Sequence, residues 1–192
     1  MVYILAVLLP LCLCACPRAD KTPPAAVPTT ADVVRAKRFE VTDATGKTRA
    51  TLGVNKYGAP QFELFDAEGK TRATLGVGKN GTGLLLSDAT GKSRVGLSVA
   101  KDGTSILEMA DAAGKLRVKL AVAPDGTSLL GLFDAAENTR ATLAVAPDGR
   151  PLFGLFDAAQ KTRASLGVAS DGTPMLMLFD AAGRATRSLV GR

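Results

Sequence analysis

Histidine is absent from the 192-residue chain. The commonest general base and a leading metal ligand are therefore missing. Ser–His and Cys–His nucleophile pairs are excluded, and so are histidine-bearing zinc sites. Tryptophan is absent as well, and aromatic residues make up only 5% of a chain that is 46% hydrophobic, so any core must be aliphatic. Cysteine occurs only at Cys12, Cys14 and Cys16, which leaves the remainder without a disulfide framework. Acidic residues are the minority charge, 18 against 24 basic ones, for a net charge of +6. That balance favours anionic neighbours such as phospholipid headgroups, lipopolysaccharide, acidic glycans or nucleic acid. The basic residues form no run; they recur along the chain.

The uncharged stretch at residues 2–15, VYILAVLLPLCLCA, has 14 residues. A helix needs about 20 apolar residues to span a bilayer, so the stretch suits the apolar core of a signal peptide, residues 1–15. It ends in Leu13-Cys14-Ala15-Cys16, with an apolar residue three places before a cysteine and a small residue just before it. The tetrapeptide resembles the lipobox of bacterial lipoproteins. That resemblance implies cleavage before Cys16, a diacylglycerol on its thiol, and a membrane-held protein of the bacterial envelope facing the periplasm or the exterior. An ordinary cleaved secretory signal and an uncleaved anchor are the alternatives. Residues 16–32 follow as a proline-rich linker, extended and semi-rigid.

Residues 33–192 are periodic. Asp43, Asp66, Asp88, Asp111, Asp134, Asp157 and Asp180 recur at spacings of 23, 22, 23, 23, 23 and 23, the mark of a repeat architecture. Four and two places before each Asp the residue is apolar, as in Phe62 and Leu64 or Leu130 and Leu132. Nine places after it stands Leu in every copy (Leu52, Leu75, Leu97, Leu120, Leu143, Leu166 and Leu189), usually with Val two places further on. Alternation of this kind is a strand with one apolar face, so each unit holds two strands. One turn reads Asp-Ala-x-Gly-Lys, but Glu137 and Gln160 replace its Gly in two copies and should strain or reshape it. The other, as in Ala123-Pro124-Asp125-Gly126-Thr127, suits a three-residue hairpin loop with Gly at its bulge. Pairing Ala123 with Thr127 places Leu120 opposite Leu130. The 22-residue spacing should be absorbed near Gly83.

The fold class is all-β: seven tandem two-strand repeats in a rolled antiparallel β-meander, with a parallel β-solenoid as the alternative. Arg49, Arg72, Arg94, Arg117, Arg140 and Arg163 share one outward position. In a solenoid they would stack as a ladder of like charge. A meander separates them by strands bearing Glu40, Glu63 and Glu108. A one-faced sheet of 14 strands must curl, fold over or meet another copy. Buried Leu is expected, so Leu120→Ala should cost about 2–5 kcal/mol. In the last copy Arg187 takes an inward position, which suits a cap.

The unit also resembles the Tyr-Asp hairpin repeats of bacterial surface and toxin-shell proteins, through Phe65-Asp66-Ala67-Glu68-Gly69-Lys70 and its equivalents at Phe133, Phe156 and Phe179. That resemblance implies a rolled hairpin sheet with a scaffold role. The isolated aspartates suit turns better than calcium sites, and no acidic pair stands apart from the repeat. The expectations are therefore no catalysis, no cofactor and no metal. Cation–π pairing between the outward phenylalanines and the Arg row is also expected. The six arginines are either surface stabilisers or a binding surface for acidic glycan or lipopolysaccharide. Another envelope protein or a second copy are further candidate partners; nucleic acid is not, given the export signal.

Overall fold

The computed structural model describes residues 33–191. The expected signal at residues 1–15 and the expected lipidated Cys16 and linker at residues 16–32 lie outside the described residues. Fourteen strands follow in order: β1 (Arg38–Thr42), β2 (Thr48–Val54), β3 (Pro60–Phe65), β4 (Thr71–Gly78), β5 (Gly81–Ser87), β6 (Ser93–Ala100), β7 (Ser105–Ala110), β8 (Leu116–Val122), β9 (Ser128–Phe133), β10 (Thr139–Val145), β11 (Pro151–Phe156), β12 (Thr162–Val168), β13 (Pro174–Phe179) and β14 (Ala185–Val190). They form one sheet in chain order, and every neighbouring pair whose register is described runs antiparallel. The hairpin meander is therefore the architecture, not coils of a solenoid. The sheet is open. Among the described residues each strand touches only its neighbours in the chain, so it does not fold over on itself.

Both turns share one construction. In the first, the Asp43 N–H donates to Lys47 O at 2.9 Å and Gly46 N–H donates to Asp43 O at 2.9 Å. In the second, Ala123 N–H donates to Thr127 O at 2.9 Å and Gly126 N–H to Ala123 O at 3.0 Å. Three residues close each loop, and the third needs a positive φ. Gly46 has φ 81° and Gly126 has 88°. Glu137 and Gln160 keep the same loop, at φ 63° and 58°. These values lie in the left-handed well that a residue with a Cβ can reach at some cost. The turns are strained but not reshaped.

The two hairpins of a unit differ in register. Across the second turn pairing is continuous, and Leu120 faces Leu130 and Val118 faces Leu132, as the sequence implies. Across the first turn the register slips by one. Leu64 faces Ala73 while Phe65 faces Thr71, which leaves Arg72 as the extra residue of a β-bulge. The same slip singles out Arg49, Arg94, Arg117, Arg140 and Arg163. In the last unit Thr186 occupies that place and its hydroxyl donates to Leu178 O at 3.2 Å. The bulge keeps Leu and Val of both strands on one face, since a one-residue slip would otherwise invert them.

The short repeat is accommodated differently from the expectation. Gly83 is an ordinary strand residue paired with Gly76. The turn itself shortens to Lys79-Asn80, because Gly78 pairs directly with Gly81. A Cβ at Gly81, whose φ is 135°, would lie 2.1 Å from Val99 O.

Burial is the main departure from the sequence reading. The Leu rows do lie on one face, but that face is uncovered: Leu75 is 49% exposed, Leu120 46% and Leu143 51%. Among the described residues Ala50 alone is a buried hydrophobic residue, and no side chain is fully buried. One layer cannot enclose a core. β14, with Arg187 opposite Leu178, is exposed along its length.

Candidate functional site

The repeated polar feature lies along the edge of the sheet that carries the Asp loops. Each loop aspartate uses its two carboxylate oxygens for different tasks. Oδ1 of Asp111 accepts the N–H groups of Ala113 at 2.8 Å and Lys115 at 3.0 Å. Asp157 Oδ1 accepts those of Ala159 at 2.8 Å and Lys161 at 3.0 Å. Such side-chain caps are why Asp opens these turns. Oδ2 holds the arginine six places on. Arg117 Nε donates to Asp111 at 2.7 Å, and Arg140 meets Asp134 at 2.6 Å and Arg72 meets Asp66 at 3.5 Å. Arg49, Arg94 and Arg163 clasp Asp43, Asp88 and Asp157. In the last loop Arg184 serves Asp180 instead, at 3.0 Å.

Four of the arginines also reach the following unit. Arg49 donates to the carbonyl of Asp66 and Arg163 to that of Asp180. Arg72 donates to Ser87 O at 2.9 Å, and Arg94 to Ala112 O at 3.0 Å. Lysines add a second set of ties, Lys47 to Ala67 O at 3.2 Å and Lys70 to Ala89 O at 2.9 Å. Glu137 supplies an acidic equivalent, accepting from Lys115 Nζ at 3.0 Å and from the Leu116 N–H at 3.1 Å. The loops are thus joined into a belt. The bulge makes this reach available, since it turns one residue out of the ladder next to the loop. Of the buried side-chain nitrogens and oxygens among the described residues, only Arg94 Nη1 lacks a partner.

The belt holds its carboxylates well below the usual range. For Asp43 and Asp88 the largest cause is the hydroxyl of Thr45 or Thr90 donating to the carboxylate. For Asp66, Asp111 and Asp157 it is the backbone N–H four residues on, with the arginine adding to it. Donors to the charged form favour ionisation. Groups held this firmly ionised are poor proton carriers near neutral pH.

The six arginines of the sequence reading therefore share one place, the bulge beside the Asp loop. That place carries an intramolecular task that the outward position alone did not reveal. Their partners are the loop aspartates and not the strand glutamates. Glu108 meets Lys119 at 3.2 Å, Glu40 meets Arg38 at 2.8 Å, and Glu63 accepts from Thr51 at 3.4 Å. The expected Phe–Arg contacts do not form. A Cβ at Gly131 or Gly154 would lie 3.1–3.2 Å from ring carbons of Phe133 or Phe156, so these rings lean over glycines on their own strands. The one cation–π contact among the described residues is Lys56 over Tyr57, at 4.9 Å.

An open groove of about 460 Å³ lies beside the shortened turn, lined by Gly76, Gly78 and Gly83 with Asn55, Gln61 and Lys79. It brings together no acid and base. Among the described residues no three Cys, Asp or Glu side chains are placed to hold a metal ion.

Fold and edge together define a class: a single-layer β-hairpin repeat sheet whose charged residues knit its loops. No protein-family model matches the chain, and comparison with curated proteins finds no match. Among solved structures, one similar chain is the TCP domain of Drosophila melanogaster SAS-4 (dCPAP), in complex with a proline-rich motif of Ana2 (dSTIL). The similarity has a TM-score of 0.37 at 15% identity and covers 92% of this chain and 98% of that one. Likeness this loose leaves function to be argued from this chain's own residues.

Proposed function

We propose that this chain is a non-catalytic structural and interaction repeat protein of the bacterial envelope, held to a membrane by lipid on Cys16. The observation that carries the non-catalytic part is the commitment of the loop aspartates. Each has one oxygen capping its turn and the other on an arginine or, for Asp134, on both Arg140 and Asn138, so the carboxylates that recur in every unit are engaged in holding the loops. The lipobox-like Leu13-Cys14-Ala15-Cys16 and the proline-rich linker support the tether. Two or more acyl chains would make such a tether durable.

A binding role for Arg49, Arg72, Arg94, Arg117, Arg140 and Arg163 toward acidic glycan or lipopolysaccharide would compete with bound carboxylates at short range. The structural task is therefore the better reading of that row. Labelling with radioactive palmitate in a bacterial host tests the tether: the label should enter the wild-type chain and be absent from Cys16→Ser. Equal labelling of both chains would refute lipid attachment at Cys16.

A further inference from the structure

We propose that the Leu/Val face of this sheet is covered by the same face of a second copy of the chain, completing a two-layer homodimer. The face runs from Phe39 and Val41 in β1 to Leu176 and Leu178 in β13. Apart from Thr82, Ser105 and Ser128 its positions are apolar, and its first charge is Arg187 in β14. Exposed leucines recur along its whole length: Leu52 is 51% exposed, Leu97 53% and Leu166 51%. Water against so continuous an apolar surface marks an association site.

The area is sufficient. Fourteen strands spaced about 4.8 Å apart, with apolar positions covering about 16 Å along each, give a plane of about 1,000 Å². A stable dimer buries about 800 Å² per partner. Lysines and aspartates of the loops, such as Lys70, Lys115, Asp102 and Asp125, border the strip at both edges and would form its polar rim.

Nothing else in the described chain fills the place. Strands touch only their neighbours, and the segments between them span two to five residues. The apolar stretch at residues 2–15 is 14 residues long, one or two strands' worth against a face of 14. A second copy matches the face in three respects: its length, its lack of charge, and the spacing of its Leu rows. Leu120 and its equivalents recur every second strand, so two such faces can interdigitate along their whole length. Sheets pack this way about 10 Å apart.

The inference is independent of the lipid, since Cys16→Ser should dimerise like the wild type. The full chain is tested with the photo-cross-linker p-benzoylphenylalanine placed at Leu120 or, as control, at the adjacent opposite-face Lys119. Cross-linking in intact cells should give a species of twice the chain mass from the Leu120 probe and little from the Lys119 probe. In sedimentation of the purified chain, Leu120→Asp with Leu143→Asp should weaken the dimer at least tenfold. Three results would overturn the proposal: monomers throughout the micromolar range, adducts of the Leu120 probe with a different polypeptide, or adducts with phosphatidylglycerol vesicles alone.

Discussion

Gln160 stands where five of the seven Asp loops have glycine, at φ 58°. The left-handed well costs a residue with a Cβ about 1–2 kcal/mol. Glycine avoids that cost but loses about 0.5–1 kcal/mol more backbone entropy on folding. The difference favours glycine by about 0.5–1 kcal/mol. Gln160 also donates from its side chain to Asn138 Oδ1 at 2.9 Å, so Gln160→Gly alone mixes two effects. Comparing Gln160→Gly with Gln160→Ala removes that bond from both and isolates the backbone. The mirror experiment is Gly114→Ala, where φ is 84° and the new Cβ would meet nothing within 4 Å. Urea unfolding at constant m-value should show Gln160→Gly above Gln160→Ala, and wild type above Gly114→Ala, each by about 0.5–1 kcal/mol. For a sheet of this size that is about 1–4 °C in melting temperature. Equal stability of the two Gln160 variants, or a neutral Gly114→Ala, would refute the strain argument. Glu137→Gly should gain less, because it also releases Lys115 and the Leu116 N–H.

The loop aspartates titrate lower in the folded chain than in the unfolded one, so their stabilisation is present above the ordinary Asp value near 3.9 and is lost as pH falls below it. The urea midpoint should therefore be level from pH 7 to 5 and decline below about pH 4; a decline already complete at pH 5 would contradict the belt. Arg117→Gln and Asp111→Asn should each lower the midpoint, and the double variant should fall short of their sum; strict additivity would show the pair to be uncoupled. Gly81→Ala should cost well over 1 kcal/mol, because strain and a 2.1 Å clash with backbone coincide there. Leu120→Ala, measured in dilute protein, should cost about 1 kcal/mol, as suits a half-exposed side chain, and more at concentrations where copies associate.

Much of this fold is legible in the sequence because its determinants are local. Period-2 rows of Leu and Val, Asp-Ala-x-Gly-Lys and Pro-Asp-Gly-Thr each act within a few residues. The Leu120–Leu130 register follows from loop length alone. The bulge at the arginines is also written into the residue spacing. With Asp111 opposite Lys115, continuous pairing would set Met109 opposite Arg117, so apolar matching requires Met109 to skip to Val118. The same spacing places Arg117 beside the Asp111 loop, where its partner lies. The exposure of Leu75, Leu120 and Leu143 is another matter. Alternation tells which side of a strand is apolar, but what lies against that side depends on contacts between distant parts, or between molecules, that no local pattern encodes.

The odd-length loop and its compensating bulge return the chain to the same facing after each pair of strands, and each pair leans only on the next. Copy number is therefore a free variable of this design. One more unit adds about 9.5 Å of width without disturbing any existing neighbour relation. One fewer subtracts the same amount. The short Lys79-Asn80 turn shows that even a lost residue is absorbed where it falls. The sheet behaves as a ruler graduated in hairpins, whose span can be changed by duplication or deletion of whole units while every remaining contact stays as it was.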